Sequence, residues 1–212
     1  MFNHMALLLG GKSISVGQGE FFLCTSGDPP IIVKSLLLVD GRLSINPVQK
    51  SLSGLTAIGD EGLFRAFYNC AGLTGPVSFT ALTSIGSSGL ERAFYNCTGL
   101  TGSVSFPALT SVGSYGLERA FFSCKGLTGT VSFPALTSIG EKGLYYAFYK
   151  CTGLTGSVSF PTLTSIESSG LVRAFYNCTG ITEVHFKASL SGNSQCTASN
   201  MGCTNATVYF DL

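Results

Sequence analysis

Residues 93–112 read Ala-Phe-Tyr-Asn-Cys-Thr-Gly-Leu-Thr-Gly-Ser-Val-Ser-Phe-Pro-Ala-Leu-Thr-Ser-Val, and nearly the same words return along most of the 212-residue chain. Cys70, Cys97, Cys124, Cys151 and Cys178 mark the repeat, each 27 residues after the one before. A fixed period of this size is the mark of a solenoid. Each unit is one coil of chain that cannot bury its apolar face alone and must stack on its neighbours.

Within a unit the apolar pattern changes character. Leu90, Ala93, Phe94 and Cys97 fall at i, i+3, i+4 and i+7, which predicts a two-turn helix leaning on its neighbours. Ser103-Val104-Ser105-Phe106 alternates polar and apolar, as a strand with one buried face does. Pro107 and Gly113 mark bends, and Leu109 and Val112 point back to the core.

Composition narrows the function classes. Charged residues make up 11% and hydrophobic residues 45%, so water must be met by Ser, Thr, Gly and Asn. The net charge is +1 with scattered Lys and Arg; neither nucleic acid nor anionic lipid is expected as a partner. The apolar run Met5–Leu9 has no preceding Lys or Arg and is too short for a signal-peptide core. No stretch is long enough to insert in a membrane.

The pattern Leu-x-x-x-Val-x-Phe-Pro, Leu-Thr-Ser-Ile-Gly and Ala-Phe-x-x-Cys, recurring five times over about residues 50 to 186, resembles the BspA-like class of leucine-rich repeat. That resemblance implies an α/β solenoid, a right-handed superhelix with a parallel β-sheet on the concave face and short helices on the convex face. The turn through Ser87-Ser88-Gly89-Leu90-Glu91-Arg92 is longer than usual for the class, which predicts a fuller outer helix and stronger curvature. Ile181-Thr-Glu-Val-His-Phe186 is one residue shorter than its predecessors.

Three regions follow: 1–49 as an N-terminal β-hairpin cap or attachment segment, 50–186 as the repeats, and 187–212 as a C-terminal cap. The first contains expected hairpins at Gly10-Gly11 and at Asp40-Gly41, with Asp28-Pro29-Pro30 as a weak linker. Ala206-Thr-Val-Tyr-Phe210 reads as a strand closing the sheet.

Candidate chemistry is sparse. Stacked side chains run parallel rather than converging, so the cysteine column reads as buried thiols, not bridges. Cys196 and Cys203 are open to either a cap disulfide or free thiols. Gly10-Gly11-Lys12-Ser13 lacks the first glycine of a phosphate loop, since residue 6 is Ala6, and reads as a turn. With two histidines and no repeated carboxylate pair, the chain is read as a non-enzyme, with no catalytic, cofactor or metal residues assigned. The expected ligand-binding strip on the concave face is Ser78, Ser105, Ser132, Ser159 and His185, with Ser103, Thr130, Ser157 and Glu183 one row over. Tyr68, Tyr95, Phe122, Tyr149 and Tyr176 form an aromatic stripe, read first as packing and second as an anchor for sugars or a partner protein.

The family resemblance implies a surface-exposed binding or adhesion module recognising a protein or glycan on a host or cell surface. The closing segment is also similar to repeat proteins of gut bacteria and their prophages, which implies a phage-tail or virion setting. A structural scaffold that self-associates is the competing expectation.

Overall fold

The computed structural model describes the backbone of residues 21–23, 31–33, 36–39 and 42–45, and residues 56–212 in full. Two antiparallel pairs lie in the N-terminal part: β1 (Phe21–Leu23) with β2 (Ile31–Val33), and β3 (Leu36–Val39) with β4 (Arg42–Ile45). The second pair is the expected hairpin across Asp40-Gly41; the hairpin at Gly10-Gly11, the linker residues and the turn at Lys12 lie outside the described residues.

From residue 56 onward the chain coils in the 27-residue period and lays down two parallel sheets. The short one joins β5 (Ala57–Ile58), β7 (Ser84–Ile85), β9 (Ser111–Val112), β11 (Ser138–Ile139) and β13 (Ser165–Ile166). The long one joins β6 (Gly75–Ser78), β8 (Leu100–Ser105), β10 (Leu127–Ser132), β12 (Thr155–Phe160), β14 (Gly180–Phe186) and β15 (Thr207–Tyr209). β15 is the expected closing strand, and it pairs in parallel with β14, Val184 opposite Val208. The missing residue of the last repeat appears as a shorter step between paired residues: Ser159 stands opposite His185, 26 residues on, where Ser132 stands opposite Ser159, 27 residues on.

The residues expected to point inward do so. Leu90, Ala93, Phe94, Cys97, Val104, Phe106, Leu109 and Val112 are all buried. Two columns of phenyl rings run through the interior. Phe67, Phe94, Phe121, Phe148 and Phe175 stack at 4.9–5.5 Å, and Phe79, Phe106, Phe133, Phe160 and Phe186 stack at 5.1–5.5 Å. The columns meet edge to face at 6.4 Å, the arrangement that ring quadrupoles favour.

The expected convex helices are not what forms. Residues 59–70 and their equivalents are chains of overlapping turns in which every second N–H bonds three residues back: Gly62 to Gly59, Phe64 to Glu61, Ala66 to Leu63, Tyr68 to Arg65, Cys70 to Phe67. The N–H groups between them leave the coil. Those of Glu61, Leu63, Arg65, Phe67 and Asn69 donate to the carbonyls of Ser87, Gly89, Glu91, Ala93 and Tyr95 of the next coil at 2.7–2.9 Å. Every fourth residue takes a left-handed φ, as Ser88, Arg92 and Asn96 do at 52°, 53° and 57°.

The physical reason is height. An α-helix with its side chains is about 10 Å wide, whereas parallel strands stack about 4.8 Å apart. A helix fits every coil only if the coils fan open; a turn ribbon is thin enough to stay in step with the sheet and bonds to the next coil as well. The predicted strong curvature is accordingly absent, because outer rings Tyr68 to Tyr176 stack at 4.5–5.0 Å, no wider than the inner columns. In place of the expected concave and convex faces the solenoid has a sheet face and a turn face.

Among the described residues only the last coil builds an α-helical turn, α1 (Ala198–Met201), capped by the Thr197 side chain and closed by Gly202 at φ 75°. Its carbonyls receive the N–H of Arg173 at Asn200 (2.8 Å) and of Phe175 at Met201 (3.0 Å), while Gln195 Oε1 accepts from Leu171 N–H at 3.3 Å. Thus donors left by the final turn ribbon are taken up.

Candidate binding surfaces

The long sheet brings the predicted strip together in register. Ser78 pairs with Ser105, Ser105 with Ser132, Ser132 with Ser159, and Ser159 with His185. Ser103, Thr130 and Ser157 stand exposed one row over, and Ser157 is opposite Glu183. Thr101, Thr128, Thr155 and Thr182 add a third exposed row. The arrangement arises because alternate residues of each strand point out and the intervening valines, Val77 to Val184, are buried.

The strip ends in a charged cluster that the sequence reading did not assemble. His185 Nδ1 lies 3.0 and 3.1 Å from the two Asp211 carboxylate oxygens, and its Nε2 lies 3.3 Å from Glu183 Oε2. Tyr209, opposite His185 on β15, stacks on the imidazole at 4.9 Å. The hydrogen bond to Asp211, with a smaller one to Glu183, raises the His185 pKa above its usual 6.5. Tyr209 and Asp211 follow His185 by one shortened coil, and that register was the signal available in the sequence.

The aromatic stripe forms one continuous stack on the turn face, with adjacent planes within 13° of parallel. Tyr149 therefore has neighbours on both ring faces, Phe122 and Tyr176.

The cysteine column is buried, and Cys97, Cys124, Cys151 and Cys178 are free thiols. Each donates its S–H to the carbonyl of the phenylalanine 30 residues earlier, Phe67, Phe94, Phe121 and Phe148, with Sγ to O distances of 2.9–3.0 Å. Desolvation pushes Cys97 and Cys178 up to about 12 and Cys124 and Cys151 well above the thiol value of 9.0. Cys70 departs from the reading of five free thiols, since it is disulfide-bonded. Cys196 and Cys203, left open above, are buried free thiols.

Coils related by a 27-residue period, bonded through two parallel sheets and a turn ribbon, define a parallel β-solenoid repeat protein. Within that class, the chain belongs to the family described as BspA type leucine rich repeat region, whose pattern matches residues 63–192 and 144–208 in six copies. Proteins of this family are generally non-catalytic repeat proteins. No curated protein matches the chain. Among solved structures, a leucine rich cell surface protein from Faecalibacterium prausnitzii is similar at 15% identity, over 98% of this chain and 76% of that one. Its TM-score is 0.26, and at that level of superposition the likeness supports no further statement about this chain. Among the described residues no helix is long and apolar enough to cross a membrane.

Proposed function

We propose that this chain is a non-catalytic recognition module, displayed on a cell surface or on a phage tail, that holds a protein or glycan against its long sheet. The observation that carries this reading is the sheet face itself. Its rows of Ser and Thr hydroxyls, in register over several coils and without charge, end at the His185, Glu183, Asp211 and Tyr209 cluster. Hydroxyls serve as both donor and acceptor. A polyhydroxylated or amide-rich ligand lying along the coils would meet repeated partners at the strand spacing, and its end would meet charge and an aromatic ring. In this reading residues 50–186 supply the recognition surface, 187–212 cap it, and 1–49 attach it.

A glycan array and a pull-down from cell-surface extract test the proposal, with Thr130→Arg/Ser132→Arg as the comparison. These positions are solvent-facing, so the variant should keep the native melting temperature while binding falls at least tenfold. Equal binding by the variant would remove the sheet face from the account.

One observation favours a second reading, that of a self-assembling scaffold. β15 is the end strand of the long sheet, and Tyr209 and Leu212 beside it are exposed, the kind of edge that pairs with another chain. Silence in both assays, with self-association rising with concentration in sedimentation, would select it.

A further inference from the structure

In an array of near-identical coils, the positions that break the repeat are the ones stacking does not explain. The turn face of one coil breaks it at several places together. Where the other coils carry Glu91-Arg92, Glu118-Arg119 and Val172-Arg173, this coil carries Tyr145-Tyr146; Lys142 stands in the place of Ser88, Tyr115 and Ser169, and Lys150 in the place of Asn96, Ser123 and Asn177. Lys142, Tyr146 and Lys150 adopt φ of 51°, 55° and 58°. At the last of these, Asn69, Asn96 and Asn177 of other coils tolerate the left-handed conformation better than Lys150 does.

The substituted residues form one patch. Tyr145 and Tyr146 meet edge to face at 4.4 Å, and Tyr146 lies 5.2 Å from Tyr149. Arg119 sits over Tyr146 at 5.3 Å and Arg173 over the same ring at 5.5 Å, with Arg173 also donating to the Tyr146 hydroxyl. Lys150 lies over Tyr149 at 5.3 Å. Of the nearby carboxylates, Glu118 is buried and held by Arg119 and Arg92, and Glu141 accepts from the Tyr115 hydroxyl. Among the described residues no carboxylate lies within ion-pair distance of Lys142, Lys150 or Arg173.

We propose that the Tyr145, Tyr146, Lys142, Lys150 and Arg173 patch is a second interaction surface, distinct from the long sheet, that docks an acidic segment of a partner protein. Charge complementarity selects the acid: Lys150 and Arg173 pair with no carboxylate among the described residues, and Lys142, bonded to the Tyr115 hydroxyl, meets Glu141 and Glu118 only beyond ion-pair distance. Ring geometry selects protein over sugar, because the faces of Tyr146 and Tyr149 are already covered by guanidinium groups and neighbouring rings. What they present is edges, hydroxyls and cations, and Tyr with Arg is the composition of protein hot spots. Because this surface is separate from the hydroxyl sheet, it stands or falls independently of the function proposed above.

The test is fluorescence anisotropy of the full chain with a labelled poly-L-glutamate of about twenty residues, and with polygalacturonate as a competing polyanion. The variant K142S/Y145E/Y146R/K150N installs residues found in the neighbouring coils, so circular dichroism and melting temperature should match or exceed the native values. A second variant, K125S/K187S, makes the same net change in charge elsewhere. The expected result is salt-sensitive binding of polyglutamate by the native chain and by K125S/K187S, weakened at least tenfold in the quadruple variant. Lys150→Asn alone should weaken it about threefold. Four results would overturn the proposal: no binding by the native chain, equal binding by the quadruple variant, equal loss in K125S/K187S, or capture of polygalacturonate in place of polyglutamate.

Discussion

At the scale of the residue, the free cysteines Cys97, Cys124, Cys151 and Cys178 illustrate how a repeat position is selected. Each of the four must be small, apolar and a donor, because it sits in the core yet faces a phenylalanine carbonyl of the preceding coil at 2.9–3.0 Å. Alanine would leave a void and remove the donor, so Cys124→Ala is expected to cost about 1–3 kcal/mol, read from chemical denaturation. With Cys97 and Cys178 pushed up to about 12, the thiolate fraction at pH 8 is about one in ten thousand. Ellman's reagent should leave Cys97, Cys124, Cys151 and Cys178 unlabelled in the native protein and modify them promptly in denaturant. Rapid native labelling at any of the four would contradict the burial described here.

At the scale of the element, close approach between coils governs which residues are admissible. A Cβ on Gly126 would stand 2.4 Å from the carbonyl oxygen of Leu100 and 2.6 Å from that of Thr98, both backbone atoms that cannot turn aside. Gly126→Ala is therefore expected to destabilise by more than about 2 kcal/mol in a denaturant titration, with a shift under 0.5 kcal/mol counting against so tight a stack. The sequence showed the strands, their register and the closing strand because Val104, Phe106 and their equivalents alternate with hydroxyl residues. It misled over the turn face for a definite reason. A ribbon with a left-handed residue at every fourth position buries Leu90, Ala93, Phe94 and Cys97 at the same offsets as a helix does, so spacing alone cannot separate the two. The separating signal was present in Asn69, Asn96 and Asn177, which tolerate positive φ and precede the cysteines. The hydroxyl strip was legible residue by residue, whereas the His185 cluster needed the register of a shortened coil.

At the scale of the whole molecule, stability is a sum over coils and their interfaces. Deleting residues 109–135 removes one period and rejoins Ala108 to Leu136, recreating the native junction Ala-Leu; the product should fold with a similar circular dichroism spectrum and a modestly lower melting temperature. Deleting 109–122 instead should abolish folding, since every later side chain would lose its column. The C-terminal end adds a pH dependence. Asp211 and, less strongly, Glu183 favour the protonated form of His185 and raise its pKa, so the stability it contributes is fully present below pH about 6.5 and lost as the pH rises through its elevated folded value. A proton NMR titration should place the His185 midpoint above 6.5, and Asp211→Asn should lower it; an unchanged midpoint in that variant would show the pair to be idle. The turn ribbons have one more consequence. Each sends its outgoing N–H groups to backbone carbonyls of the following coil's ribbon, whereas what returns from that ribbon reaches it through side chains, as Ser87 N–H to Asp60 Oδ1 and Cys97 S–H to the Phe67 carbonyl do. Peptide dipoles on this flank consequently add along the rod axis, with the positive end at the C-terminus, the reverse of an α-helix. Head and tail are thus electrically distinct, and the carbonyls of α1 and Gln195 serve as the stopper that keeps one rod from threading onto the next.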